Sequence, residues 1–594
     1  MEPCIYITYD MLFKDEPLNI AYYLESLDRL PAIDFALGLL YNGNNSKITL
    51  NEYIELFLSK HNREFAEHIT INYNEVLYRD IKSPTGVIPR SYFLVSESTA
   101  QELLRVMFSI REYKNDVPTV IQEQNLLKAI VLINQSISHW NIDNEINSTG
   151  DFTDLYYAKS FFCSFLKNYE RTKAHPVFTA VLQIIKGYHF FEFCENTKLS
   201  VHLSRFLENN GVNTWQEYLY NVIRLILFPL QEQNGKYPII TLNGDRDGYT
   251  FLHSHSFNIN ETISLEKNHD YTFFKAHPII EVDERRFIPI SSIFCINHLY
   301  RSVYFELREI NQSYSNTENF IKGLLPFITT KFSEQNLFRR YVQNTLIRQN
   351  GIKLSDEDCS KINKSNHEPD FYFRDGNNIF LIENKDIKIA DYIINSYDYK
   401  YIEEALNKKV INDAGLSQLA YNIQAIDQRT FPWDKNIPNN PRIYPILVLA
   451  DSSLSVPGLN FILNDALESQ IKKMNLKTKV HPLVVIELDT LIAFADSFKS
   501  GRIKLKDAID KYFTYQKSFR KRVEPKDILE EVYHKYYPFY TFVSQQIIGE
   551  PTDDDTFNEI CEDLKRSVEK YNMPITSLSR LSSQLTNKQV QHEA

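Results

Sequence analysis

Residues 368–386, EPDFYFRDGNNIFLIENKD, constrain the fold more than any other stretch of the chain. Two apolar runs flank Asp-Gly-Asn-Asn, and Gly376-Asn377 is a natural centre for a two-residue hairpin turn. The run IFLI implies a buried strand. With that turn centre, the register sets Asp370 opposite Glu383. Directly opposed residues of an antiparallel pair hold their Cβ atoms about 4.5–5.5 Å apart. Two carboxylates that close repel unless a cation lies between them or one keeps a proton. Lys385, two residues past Glu383, lies on the same face of the strand. A plain surface ion pair between Glu383 and Lys385 would be worth at most about 1 kcal/mol, whereas charge at the end of a buried strand needs a reason.

The hairpin sits in a regular succession of elements. From about residue 315 to 500 the order reads helix, hairpin, helix, strand, helix, strand, which predicts an α/β layer around a central sheet. FSEQNLFRRYVQNTLIRQ is the first helix and DAGLSQLAYNIQAID (413–427) the second. RIYPILVLAD (442–451) and HPLVVIELDTLIAF (481–494) read as buried strands, with a helix over GLNFILNDALESQIKKM between them.

Pro369-Asp370, twelve intervening residues and then Glu383-Asn384-Lys385 form a pattern that resembles the PD-(D/E)xK nucleases, the restriction-endonuclease-like superfamily. The resemblance covers roughly residues 320–495. It implies Asp370 and Glu383 as ligands of Mg²⁺ or Mn²⁺, with the backbone carbonyl of Asn384 as a further ligand. It implies Lys385 as the catalytic lysine, which can position a water and offset charge on a phosphorane-like transition state. The family core carries an acid on the helix before the hairpin, here Glu334, and often Gln and Tyr on the helix after it, here Gln418 and Tyr421. The implied activity is a phosphodiesterase acting on nucleic acid, DNA ahead of RNA and endonuclease ahead of exonuclease. A nuclease core joined to a large further region is similar in architecture to bacterial antiphage-defence or restriction effectors. The alternative is a catalytically silent nuclease fold that binds nucleic acid or assembles with a partner.

The remaining chain frames this core. A length of 594 residues predicts several domains. Residues 1–235 read as a mostly helical regulatory or sensor region, as in TAQELLRVMFSIREY (99–113) and WQEYLYNVIRLILF (215–228). Residues 236–310 read as a β-hairpin-rich segment with a connecting helix, 311–500 as the nuclease core, and 501–594 as a charged helical extension with a loose tail. The expected class is therefore multidomain α+β. A net charge of −11 argues against a simple basic coating protein, although local fields decide nucleic-acid contact. Candidate phosphate-holding residues are Lys517, Arg520, Lys521, Arg522 and Lys526, and, nearer the hairpin, Arg339, Arg340, Arg348 and Lys353. A protein partner or homo-oligomer is expected besides nucleic acid.

Six cysteines without C-x-x-C spacing predict reduced thiols. The start, MEPCIYITYDMLF, lacks a signal-peptide pattern, and no apolar run is long enough to cross a bilayer, so a cytoplasmic location is expected. LHSHSF offers His253 and His255 on one face of an expected strand, a weak zinc pattern without a third ligand nearby. NGDRDG (243–248) reads as a plain turn. Neither a phosphate-binding G-x-x-x-x-G-K-[ST] loop nor a G-x-S-x-G elbow is present, so any ATP dependence would come from a partner.

Overall fold

The computed structural model describes residues 5–41, 48–81, 92–114, 116–138, 140–143, 153–169, 176–228, 237–242, 249–412, 415–518, 533–548 and 554–569. The protein is a mostly helical α+β molecule with two mixed sheets and one short parallel pair, β1 (Ile5–Tyr6) with β2 (Tyr92–Phe93). Among the described residues no helix is long and apolar enough to cross a membrane. Cys163, Cys194, Cys295, Cys359 and Cys561 are free thiols.

The smaller sheet contains β3 (Ile240–Thr241), β4 (Ser256–Asn258), β5 (Ile279–Asp283) and β6 (Arg286–Pro289), in the order β3-β6-β5-β4. β5 and β6 are the hairpin expected around Asp-Glu-Arg-Arg. The stretch before β4 departs from expectation. Tyr249–Ser254 is a helix, not a strand. So short an apolar run is ambiguous by periodicity, and burial of Phe251 and Leu252 beside the helix Trp215–Leu227 decides it. NGDRDG lies outside the described residues.

The larger sheet holds β7 (Ile352–Ser355), β8 (Phe371–Asp375), β9 (Asn378–Lys385), β10 (Arg442–Leu449), β11 (Lys479–Val480) and β12 (Val484–Glu487). β7, β8 and β9 are antiparallel neighbours, and β10 runs parallel to β9. β11 and β12 pair in turn with the other side of β10, forming one interrupted edge. β7 is not foreseeable from the residues alone, because Ile-Lys-Leu-Ser is too short to show a period. The strand expected over 481–494 is only β12, and Leu488–Ala493 is helical. Glu487 ends the strand: its carboxylate accepts from Thr490 Oγ1 at 2.9 Å and from the Tyr540 N–H at 3.0 Å.

Alternation along the strands explains why both faces of this sheet are covered. Phe371, Phe373, Phe380, Ile382, Tyr444, Ile446 and Val448 join one core with Phe332 and Leu337 of the preceding helix. Tyr372, Ile379, Leu381, Ile443 and Leu447 face the other way, onto Leu419 and Ile423 of the helix Leu416–Asp427 and Leu463 of the helix Leu459–Lys472. The second face is completed by Phe161, Phe162, Phe165 and Leu166 of the helix Asp154–Tyr169, far earlier in the chain. Gly458 makes that docking possible. It takes φ +92°, and a Cβ there would lie 2.1 Å from the Ala158 carbonyl oxygen. The result is a three-layer unit, helices on both sides of a sheet.

Candidate active site

The hairpin forms in the register read from its turn. Pairs run from Asp375↔Asn378 to Phe371↔Ile382, leaving Gly376-Asn377 as the loop. Gly376 takes φ +56°, a left-handed value that glycine reaches without strain. One step further, the register brings Asp370 opposite Glu383. The Asn384 N–H donates to Asp370 Oδ2 at 2.6 Å. Lys385 Nζ lies 3.5 Å from Glu383 Oε2 and 3.7 Å from Asp370 Oδ2.

Proline at 369 has a local consequence. The same register sets Pro369 opposite Asn384, and proline has no N–H to give the Asn384 carbonyl. In a strand, the N–H and C=O of one residue leave on the same side, so this carbonyl faces the Asp370 edge.

Burial and charge set the protonation of the cluster. The Glu383 side chain is 0% exposed, and neither of its carboxylate oxygens accepts a hydrogen bond of normal geometry among the described residues. Burial first, and the charge of Asp370 second, push Glu383 well above the usual carboxylate range. Burial also raises Asp370, against the pull of Lys385 and of the Asn384 N–H. For Lys385, burial works against the ammonium, but Asp370, Glu383 and Glu334 outweigh it and the net shift is upward.

Glu334 joins the same group. It lies on Thr329–Phe338, a π-helical stretch within the continuous helix that precedes β7. Such i→i+5 stretches are rare and concentrate at functional positions. Burial, then the charges of Asp370 and Asp356, push the Glu334 carboxyl up to about 7, while Lys385 and Arg339 pull it down. Lys385 contacts Asp370 and Glu383 and feels the charge of Glu334, and such a group needs protons or a further cation to be stable.

Gln418 stands outside this cluster. Its Nε2 donates to the Glu368 carbonyl at 2.5 Å, Asn422 Nδ2 donates to the His367 carbonyl at 3.1 Å, and Tyr421 stacks on His367 with ring centres 4.1 Å apart. One face of the helix Leu416–Asp427 therefore grips the backbone that leads into Pro369-Asp370. Gln418 holds the backbone two residues before Asp370.

The basic candidates divide. Arg339 is bound to Asp356 at 2.7 Å and to Glu357 at 3.0 Å, and Arg340 donates to His189 at 2.9 Å. Arg348 and Lys517 are exposed and Lys353 is half-buried. Arg520, Lys521, Arg522 and Lys526 lie outside the described residues. His253 and His255 do not share a strand face: His253 turns outward to Glu281 at 2.9 Å, while His255 is buried.

Two features were not read from the sequence. One is Asp356, whose backbone N–H donates to the Asp370 carbonyl at 3.2 Å and whose charge acts on the cluster. The other is a cavity of about 590 Å³ that begins at Asp386, one residue past Lys385, and at Asp451, just past β10. It is lined by Lys186, Tyr300, Arg301, Tyr304, Arg308, Lys388 and Lys409 among apolar side chains. Arg301 pairs with Asp451 at 3.1 Å, and Lys186 pairs with Asp489. Crevices beyond the carboxyl ends of parallel strands are favoured ligand sites in α/β sheets. These residues come from segments scattered over 186–451, so no local spacing announces them.

Comparison of the chain with protein-family models, with curated proteins and with solved structures finds no match.

Proposed function

We propose that the chain is a divalent-metal-dependent phosphodiesterase acting on nucleic acid, DNA ahead of RNA, and cutting internally. One observation carries this reading: Asp370 lies beside a fully buried Glu383 whose oxygens lack hydrogen-bond donors, under the ammonium of Lys385. A buried carboxyl pair in which only Asp370 accepts a well-formed hydrogen bond is costly unless something else satisfies it. The oxygen donors Asp370, Glu383 and the Asn384 carbonyl suit Mg²⁺ or Mn²⁺. When bound, such an ion would offset the carboxylate charge and polarise a phosphate oxygen.

The chain's own groups divide the remaining work. Lys385 orients the attacking water and balances charge building on the phosphate oxygens. Glu334 takes the water's proton as the water oxygen bonds to phosphorus and the bond to the leaving oxygen breaks. The helix before the hairpin and the helix between β9 and β10 are the neighbours that the resemblance implies for it, and they support the reading. The cavity past Asp386, with cations and tyrosines side by side, suits a nucleotide or a strand of nucleic acid.

A second reading is favoured by the way Lys385 already contacts both acids: a silent, self-neutralised cluster in a nucleic-acid-binding subunit. Cleavage assays separate the two. Wild type is incubated with plasmid, single-stranded DNA and RNA in Mg²⁺ or Mn²⁺, beside Lys385→Ala and Asp370→Asn. Metal-dependent cutting by wild type and its loss in both variants is the expected result. Full activity in either variant rejects the assignment, and binding by wild type without cutting favours the silent subunit.

A further inference from the structure

We propose a second metal site, of zinc type, formed by His255, His298 and Glu306. His255 stands between the helix Tyr249–Ser254 and β4, His298 ends the helix Ser292–Asn297, and Glu306 is on the helix Arg301–Ser313. One donor atom from each lies within 4.8 Å of the other two. This group shares no residue with the Asp370 cluster, and the inference does not rest on the nuclease reading.

One ring nitrogen of each histidine is already used. His255 Nδ1 is 2.8 Å from the Phe251 carbonyl oxygen, and His298 Nε2 is 2.9 Å from the Lys275 carbonyl oxygen. A carbonyl only accepts, so each of these nitrogens carries the proton. That fixes the tautomer and leaves His255 Nε2 and His298 Nδ1 with lone pairs. His298 is 1% exposed, and its Nδ1 has no hydrogen-bond partner. It points to Glu306, with Oε1 at 3.8 Å. The second Glu306 oxygen is steadied by Asn210 Nδ2 at 3.4 Å. Histidines that ligate a metal through one nitrogen and donate to a backbone carbonyl through the other are the usual outer-shell arrangement of zinc sites.

The donor chemistry selects the ion. Two imidazoles and one carboxylate suit Zn²⁺, whereas Mg²⁺ and Ca²⁺ prefer oxygen donors. Zinc bonds of about 2.0–2.1 Å in tetrahedral geometry set donors about 3.3 Å apart, so closure needs shifts of about 1.5 Å or less. A bound ion would clasp the smaller sheet to the helix Arg301–Ser313. The first turn of that helix supplies Arg301 and Tyr304 to the cavity beside Lys385.

The test uses the full chain, stripped with a chelator and titrated with Zn²⁺ and, separately, with Co²⁺ as a spectroscopic probe. Wild type, Glu306→Gln, His298→Ala and Glu383→Gln are compared, with circular dichroism as the folding check. The expected result is about one tight equivalent per chain in wild type, with tetrahedral Co²⁺ absorption in the visible. Glu306→Gln, altered at the partly exposed ligand, should keep the fold and lose at least about tenfold in affinity. Glu383→Gln should bind as wild type does. No stoichiometric binding by wild type, or equal binding by Glu306→Gln, overturns the proposal even if His298→Ala fails to fold. Loss of the tight equivalent in Glu383→Gln alone also overturns it.

Discussion

Glu334 gives the sharpest test of the electrostatics around Asp370. In metal-free protein its carboxyl rises from 4.5 to about 7, first through burial and then through Asp370 and Asp356. A folded-state value above the unfolded one means that the native protein holds the proton more tightly. Between about pH 4.5 and about pH 7 the native state then carries more protons than the unfolded chain, so stability falls as pH rises. At about 1.36 kcal/mol per pH unit the full displacement amounts to about 3 kcal/mol, which partial solvent contact trims to about 2 kcal/mol. Glu334→Gln fixes the neutral form. It should match wild type near pH 4 and exceed it by about 2 kcal/mol near pH 8. Glu306 and Glu97 rise to about 7 and about 8, so the assay must read the difference between the two proteins and not either curve alone. Thermal denaturation in chelator at the two pH values is sufficient. A stability difference that does not change with pH, or a variant weaker at both, would refute the reasoning. Saturating Mg²⁺ should shrink the gap, because a cation on Asp370 and Glu383 makes an ionised Glu334 less costly.

Other outcomes follow from the same geometry. Lys385→Ala should lower cleavage by about 10²–10³-fold with the melting temperature little changed, measured as single-turnover rates on plasmid DNA. Glu383→Gln should lose the stabilisation by Mn²⁺, about 2.7 kcal/mol for wild type at a hundred times Kd, read as the shift in melting temperature on adding the ion. Gln418→Ala removes one hydrogen bond to the Glu368 carbonyl, about 1 kcal/mol, and should reduce kcat more than substrate affinity. Gly458→Ala should destabilise by several kcal/mol and release the helix Asp154–Tyr169 to proteolysis, because its Cβ meets the Ala158 carbonyl at a left-handed backbone position.

What could be read from the sequence was what depends on neighbours along the chain. The turn at Gly376-Asn377 fixes the pairing of β8 with β9, and that pairing by itself sets Asp370 against Glu383 and places Lys385 on their face. Long periodic helices such as Leu416–Asp427 and Leu459–Lys472 were legible for the same reason. Contacts made by folding were not. β7 is strand because β8 lies beside it, and Tyr249–Ser254 is helix because the helix Trp215–Leu227 takes its apolar side. His255 looked like half of a pair with His253, yet its neighbours in space are His298 and Glu306. The same holds for the cavity beyond Asp386, whose cations come from distant segments. Gln418 shows an intermediate case: its helix could be foreseen, but its bond to the Glu368 backbone could not.

The helix Asp154–Tyr169 lies under a sheet and a helix that the ribosome has not yet made when it emerges. Gly458 and the helix behind it follow about 300 residues later, roughly 15–60 s at usual rates of synthesis. Throughout that interval Phe161, Phe162, Phe165 and Leu166 have no core to enter. The nascent chain therefore carries an adhesive aromatic segment for about half of its translation, and its yield should depend on chaperone supply and on elongation speed more than the stability of the finished protein would suggest.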